Sequence, residues 1–496
     1  MRESGILLPI SSLPSQYGIG CFSKEAYEFV DQLALANQKY WQILPLGPTS
    51  YGDSPYQSFS TYAGNPYFID LNTLIEEGVL TKKECDLADF GSDSRFIDYG
   101  KLYKARYKLL RKAYERSNIS QNPEFRTFQE ENAWWLDDYA LFMAVKGFFQ
   151  DECWDKWPED IKKRYGYALD YYREQLYFEI EFQKYMQFEF SIQWKKLKTY
   201  ANENGIRIIG DIPIYVAYDS ADTWAHPELF QLDEENVPLA VAGCPPDGFA
   251  ADGQLWGNPL YRWDYHRRTG YTWWMQRLSY AFYLYDVVRI DHFRGFDEYF
   301  SIPYGDTTAR NGHWEKGPGI EVFHRMKEVL GERDVIAEDL GYVTDSVRQM
   351  VFESGFPGMK VFEFAFDSRD TGCAGDYLPH NYPVNSVVYT GTHDNATLIG
   401  WYQDIPKEGR EMLRDYIHDY TTSDRSLHWS VICRVMGSPA RICMIPMQDY
   451  LGLNNTCRIN TPSTLGTNWK WRLLDGEFTS DLQNKIKKLV RIYQRN

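Results

Sequence analysis

Short apolar runs recur along the chain and each stops abruptly in polar residues. Eight of them begin near residues 6, 40, 206, 286, 334, 358, 386 and 440. Between most of them the apolar positions return every three or four residues, as in Ala26, Phe29, Val30 and Leu33 behind a Ser23 cap. A last amphipathic helix is read from Leu482, Ile486, Leu489 and Tyr493, with Ser480 as its cap. Strands that alternate with helices and end in polar groups predict an α/β fold, a parallel (β/α)8 TIM barrel whose functional groups gather at its C-terminal face. The alternative, a doubly wound open sheet, normally carries a Gly-rich phosphate loop after an early strand, and none is present.

At 496 residues the length accommodates either one barrel with insertions or three ordinary domains. The pattern reads as one barrel over 1–496. The strand rhythm lapses from about Asp70 to Glu189, where helices are expected near Lys101 to Arg116, Phe125 to Phe149 and Tyr171 to Tyr200. This block, 70–190, reads as a helical insertion that walls one side of a cleft, with a separate helical domain as the alternative. Two long loops, 48–66 and 243–259, are rich in turn formers and aromatics, and loops of that length inside a compact domain are usually functional.

A formal charge of −16 argues against a nucleic-acid backbone or an anionic membrane as partner. The basic run from Lys101 alternates with Tyr and Leu at helical spacing and reads as a solvated helix face. Aromatic residues make up 17% of the chain, with 38 Tyr and 16 Trp, more than a core needs and suited to grooves that meet both flat apolar faces and polar edges. The eight cysteines are scattered without a CxxC or a nearby His cluster, which fits a reducing cytoplasm and gives no metal site. No apolar run is long enough to span a bilayer, and the start carries no cleavage pattern.

The candidate chemistry centres on DVVRIDHFRGF, Asp286 to Phe296, where a buried strand runs into Arg289, Asp291, His292 and Arg294. Alternation puts Arg289 and Asp291 on one face, so the guanidinium is expected to hold that carboxylate ionised. Taken alone, a structural ion pair at a strand end explains the motif as well. Two more carboxylates occupy equivalent strand ends, Glu338 in IAEDLG and Asp394 in GTHDN. One barrel can aim all three into a single pocket, where mutual repulsion raises the pKa of the least compensated, for which Glu338 is the candidate. An acid and a nucleophile facing one bond is the arrangement of retaining glycosidases. A hard divalent cation on the same carboxylates ranks below it, because Arg289, His292 and His393 bring cations or competing donors.

The strings YGDSPYQSFSTYAGNP, PPDGFAADGQLWGNP, RIDHFRGFDEYF, IAEDLG, GFPGMKVFEFAF, GTHDN and PMQDYLGL, in this order, resemble the motifs of the 4-α-glucanotransferases of glycoside hydrolase family 77. The resemblance runs from GILLPISSLPS to NWKWR. It implies transfer of α-1,4-glucan segments between maltooligosaccharides without metal or cofactor, with Asp291 as nucleophile, Glu338 as acid/base and Asp394 as transition-state stabiliser. It further implies sugar subsites lined by Ser54, Tyr56, Asp247, Gln254, Trp256, Arg289, His393 and Asn460. Departures fall in loops: many members have Ser and Thr where this chain has Ala250 and Asp252, and Gly where it has Ser463. An amylase-type hydrolase shares the chemistry and differs in the attacking group. A binding protein that has lost activity would be expected to have lost a carboxylate.

Overall fold

The structure is a computed structural model that describes residues 2–50, 52–246, 251–341, 343–366 and 374–496. Eight parallel strands close into a barrel in chain order: β1 (Glu3–Leu7), β2 (Tyr40–Gln42), β3 (Arg207–Ile212), β4 (Val287–Ile290), β5 (Val335–Ala337), β6 (Gly358–Val361), β7 (Ser386–Tyr389) and β8 (Ile442–Pro446). β8 pairs back onto β1, Glu3 opposite Ile442, so no edge is left open. All eight expected strands are present. Their near-continuous apolar runs follow from burial on both faces, since helices cover the outside and side chains fill the inside.

Between β2 and β3 the chain forms helices that include Tyr99–Arg116, Pro123–Phe148, Gly166–Gln175 and Tyr177–Glu203. The helix expected at Tyr171 to Tyr200 is two helices, broken at Leu176, whose backbone (φ −110°, ψ 19°) leaves the helical region. These helices hold a second apolar cluster around Trp135, Leu136, Tyr139, Phe142, Trp154 and Trp157, to which Trp224 from the segment after β3 contributes. An ion pair ties the two parts: Lys146 Nζ lies 2.6 Å from Asp219 Oδ2 and is buried.

A four-stranded antiparallel sheet, unexpected from the sequence, stands beside the barrel. Its order is Gln254–Pro259, Ala240–Cys244, Glu298–Pro303 and His313–Lys316. Much of the 243–259 loop is therefore strand. The pattern hid it because only a small cluster, Val241, Phe300, Ile302 and Ala309, is buried beneath, and Gly and Pro interrupt the alternation. The closing helix starts one residue earlier than expected, with the Thr479 hydroxyl accepting from the Leu482 N–H at 3.2 Å. Ser23 does occupy the N-cap of its helix, but its hydroxyl bonds the Glu25 carboxylate instead of a backbone amide. Among the described residues, no helix is long and apolar enough to cross a membrane.

Gly210 in β3 shows how tightly the barrel is closed where the chemistry is carried. A Cβ there would lie 2.1 Å from Cγ of Tyr285, the residue that leads into β4. Neither a strand backbone nor a buried ring gives way easily. Gly210→Ala is expected to destabilise the fold by roughly 1–3 kcal/mol, read as a lower unfolding temperature; an unchanged temperature would show that Tyr285 repacks freely.

Candidate active site

The ladder between β3 and β4 sets Asp211 directly opposite Arg289. Arg289 is 2% exposed and its guanidinium meets three carboxylates. Nη1 bonds Asp211 Oδ2, while Nη2 lies 2.9 Å from Glu338 Oε2 and 3.3 Å from Asp291 Oδ1. The cation is thus shared, and Asp291, expected to be its main partner, receives the longest contact. Asp211 sits across the ladder from Arg289, while Asp291 and Glu338 each lie one residue beyond the ends of β4 and β5. Glu338 Oε2 also accepts the His292 N–H at 2.8 Å. His292 takes a left-handed backbone (φ 51°) to turn that amide inward.

Asp291 and Glu338 meet at the same nitrogen, Arg289 Nη2, and each acts on the other's titration. Burial, then the neighbouring Glu338 carboxylate, raise Asp291 well above the usual carboxylate range, with Arg289 pulling the other way. Burial raises Glu338 as well, against the opposing pull of Arg289 and the His292 amide. Such a pair titrates as one unit, and both members are shifted toward the protonated form. This corrects the expectation that Arg289 alone keeps Asp291 charged.

Asp394 behaves oppositely. Burial opposes its ionisation, yet the His393 imidazole, 3.3 Å from Oδ2, and the Asn460 amide, which donates to Oδ1 at 2.6 Å, hold its carboxyl well below the usual range. His393 is buried and stacks on Tyr56, ring centroids 5.1 Å apart at 13°. The Tyr56 hydroxyl donates to Asp211 Oδ2 at 2.6 Å. Hydrogen bonds and stacking therefore connect Asp211, Tyr56, Arg289, Glu338, Asp291, His393, Asp394 and Asn460.

Of the remaining expected positions, Ser54, Gln254 and Trp256 are among the described residues. Ser54 Oγ accepts the Tyr56 N–H at 3.3 Å, steadying the turn that presents the ring. Trp256 Nε1 donates to Gln254 Oε1 at 3.1 Å, and its ring meets His292 edge-on at 4.8 Å. Burial, with the Arg294 cation nearby, pushes the His292 imidazole down to about 3, so it is neutral under ordinary conditions and supplies no positive charge. Asp247 and Ala250 lie outside the described residues. Asp252, the added charge, is neutralised by Arg310 Nε at 2.6 Å. Ser463 adopts φ 63°, which accounts for a preference for Gly there. Sequence reasoning missed Asp211 as a partner of this site, because its place one ladder step from Arg289 is set by the pairing of β3 with β4.

Fold and site define a (β/α)8 barrel enzyme in which carboxylates on neighbouring strands share one cation. The family model described as 4-alpha-glucanotransferase matches residues 8–477. A 4-alpha-glucanotransferase of Clostridium butyricum is 49% identical, covering 98% of this chain and 99% of that protein. One of Thermus thermophilus is 45% identical over 100% of this chain and 99% of its own. Among solved structures, an amylomaltase from Streptococcus agalactiae in complex with acarbose superposes with a TM-score of 0.96 at 40% identity, over 100% of both chains. The chain belongs to the 4-alpha-glucanotransferases of glycoside hydrolase family 77.

The raised pair has a stability consequence with a definite sign. A carboxyl whose folded pKa exceeds its unfolded value stabilises the fold at low pH and loses that contribution as pH rises through the folded pKa. At pH 7 the pair is therefore a net cost. Asp291→Asn is expected to raise stability at pH 7 by about 1–2 kcal/mol, with the gain vanishing below about pH 4. Calorimetric unfolding at both pH values checks this; a loss of stability at pH 7 would contradict it.

Proposed function

We propose that this chain transfers α-1,4-glucan segments between maltooligosaccharides by double displacement with retention. The observation that carries the reading is that Asp291 and Glu338 converge on one nitrogen, Arg289 Nη2, at 3.3 and 2.9 Å, beside the ionised Asp394. Inverting enzymes keep their two carboxyl groups ~6.5–9.5 Å apart to admit a water, and retaining ones keep them ~5 Å apart. Two carboxylates gathered on one nitrogen belong with the second group. Asp291 is the nucleophile, Glu338 the acid/base and Asp394 the group that holds sugar hydroxyls as the ring flattens.

One proton on the pair is what the first step requires. With donor bound, that proton lies on Glu338. It passes to the glycosidic oxygen as the C–O bond breaks and the Asp291 carboxylate bonds to the anomeric carbon. The incoming sugar hydroxyl then attacks that carbon, gives its proton to Glu338 and releases Asp291. Arg289, His393, Tyr56 and Asn460 line the sugar beside these groups, with Ser54, Asp247, Gln254 and Trp256 toward the cleft loops. We place the enzyme in the cytoplasm, acting without metal, cofactor, nucleic acid or membrane, which the charge and the scattered cysteines support.

With maltotriose alone, the enzyme is expected to yield glucose together with maltotetraose, maltopentaose and longer chains, the number of reducing ends staying nearly constant. Steadily rising reducing ends with no product longer than the substrate would mark a hydrolase instead.

The roles separate by leaving group. Asp291→Asn is expected to lose activity on every donor by several orders of magnitude. Glu338→Gln should lose most on maltotriose and far less in glycosylation by an α-glucosyl fluoride, whose leaving group needs no proton. Equal losses for Glu338→Gln on both donors would remove it from the acid role.

A further inference from the structure

Asp211 lies behind the catalytic groups, on β3, with its side chain wholly excluded from solvent. Yet its Oδ2 accepts two hydrogen bonds that lead to opposite sides of the site. One comes from Arg289 Nη1, whose other nitrogen, Nη2, contacts Glu338 and Asp291. The second comes from the Tyr56 hydroxyl at 2.6 Å, whose ring stacks on His393, the neighbour of Asp394. One buried carboxylate therefore anchors both the side chain that compensates the Asp291–Glu338 pair and the ring that backs the stabilising group.

We infer that Asp211 is a positioning residue that sets the Arg289 fork and the Tyr56 ring together, so that the nucleophile and acid on one side and Asp394 on the other hold a common register. A purely structural partner for Arg289 would need only one of these contacts. Arg289 already has two other carboxylates, so removing the third leaves it paired and leaves the barrel a route to fold. Tyr56 has no such reserve, because its hydroxyl is held by Asp211 alone among the described contacts.

The charge also matters. Asp291 is faced by Arg289 on its own strand, Glu338 from the end of β5, Asp211 from β3, and Tyr56 and Asp394 from the loops after β2 and β7. The negative charge of Asp211 works to raise Asp291, along with burial and Glu338. Asp211→Asn keeps the shape and removes that charge. Asp291 then ionises more readily, so the acid limb of kcat/KM moves to lower pH even as turnover falls from lost alignment.

This inference rests on the proposed roles of Asp291 and Glu338, and the experiment keeps the two apart. Purified Asp211→Asn, Tyr56→Phe and the double variant are compared with the unaltered enzyme for maltotriose disproportionation from pH 4 to pH 8, with unfolding temperatures recorded. Asp211→Asn is expected to lose about 10²-fold in kcat with KM changed by less than ~3-fold, and to move the acid limb downward. Tyr56→Phe should lose roughly 10-fold without moving that limb, and should cost less than ~3-fold when added to Asp211→Asn, because its hydroxyl acts through the same carboxylate. Near-normal kcat and an unmoved limb in Asp211→Asn overturn the inference, as do fully multiplicative losses in the double variant. Should Asp211→Asn fail to fold, Asp211→Glu supplies the charge one methylene further out; an active Asp211→Glu with unchanged kcat then overturns the positioning role. Activity in Asp291→Asn would instead overturn the catalytic assignment itself.

Discussion

Three carboxylates contact one buried guanidinium, and the site depends on that sharing. Two like charges 4 Å apart cost about 4 kcal/mol at an effective dielectric near 20, so Asp211, Asp291 and Glu338 cannot all be ionised together without a cation. Arg289 supplies one positive charge for three acids. Burial first, and then the neighbouring Glu338 carboxylate, raise Asp291, and burial raises Glu338, while Asp394, with its own His393 and Asn460, is lowered. The two carboxyls on the Arg289 fork are thus pushed toward the protonated form and Asp394 toward the ionised one.

The barrel makes this arrangement rigid. Asp211, Arg289 with Asp291, and Glu338 come from β3, β4 and β5, which are consecutive staves held in register by backbone hydrogen bonds. No side-chain rotation is needed to bring them together, because the ladder already places their Cα atoms side by side. Asp394 arrives from the end of β7 and is coupled back through His393 and Tyr56, a stacking contact instead of a ladder. The two halves of the site are therefore built by different means, and Tyr56 links them.

What could be read from the chain follows the same division. The eight barrel strands were legible because burial on both faces forces long apolar runs that end abruptly. Asp291, Glu338 and Asp394 were legible as candidates because carboxylates recur at three equivalent strand ends. The antiparallel sheet was not, since its strands bury little more than Val241, Phe300 and Ile302. Asp211 was not legible, because alternation shows which face a residue takes and not which neighbour the barrel sets beside it. The allotment of Arg289 failed for the same reason. A partner two residues away on one strand is visible in the sequence, whereas partners on adjacent strands 78 and 49 residues away are not.

The division between barrel and sheet also bears on how transfer is preferred over hydrolysis. Water and a sugar hydroxyl attack the same carbon, and Glu338 accepts the proton from either, so the carboxylates cannot choose between them. Choice requires that the acceptor sugar be held while the glycosyl-enzyme lasts. In the proposed function this falls to Trp256 and Gln254, which stand on the antiparallel sheet, and Trp256 touches the barrel through His292. His292 in turn gives its backbone N–H to Glu338 and keeps a neutral ring against the indole. An acceptor lying on Trp256 would thus press on the residue that orients the general base. That contact links occupancy of the acceptor side to the base that must deprotonate it, and water, which has no face to lay on the indole, gains nothing from the link.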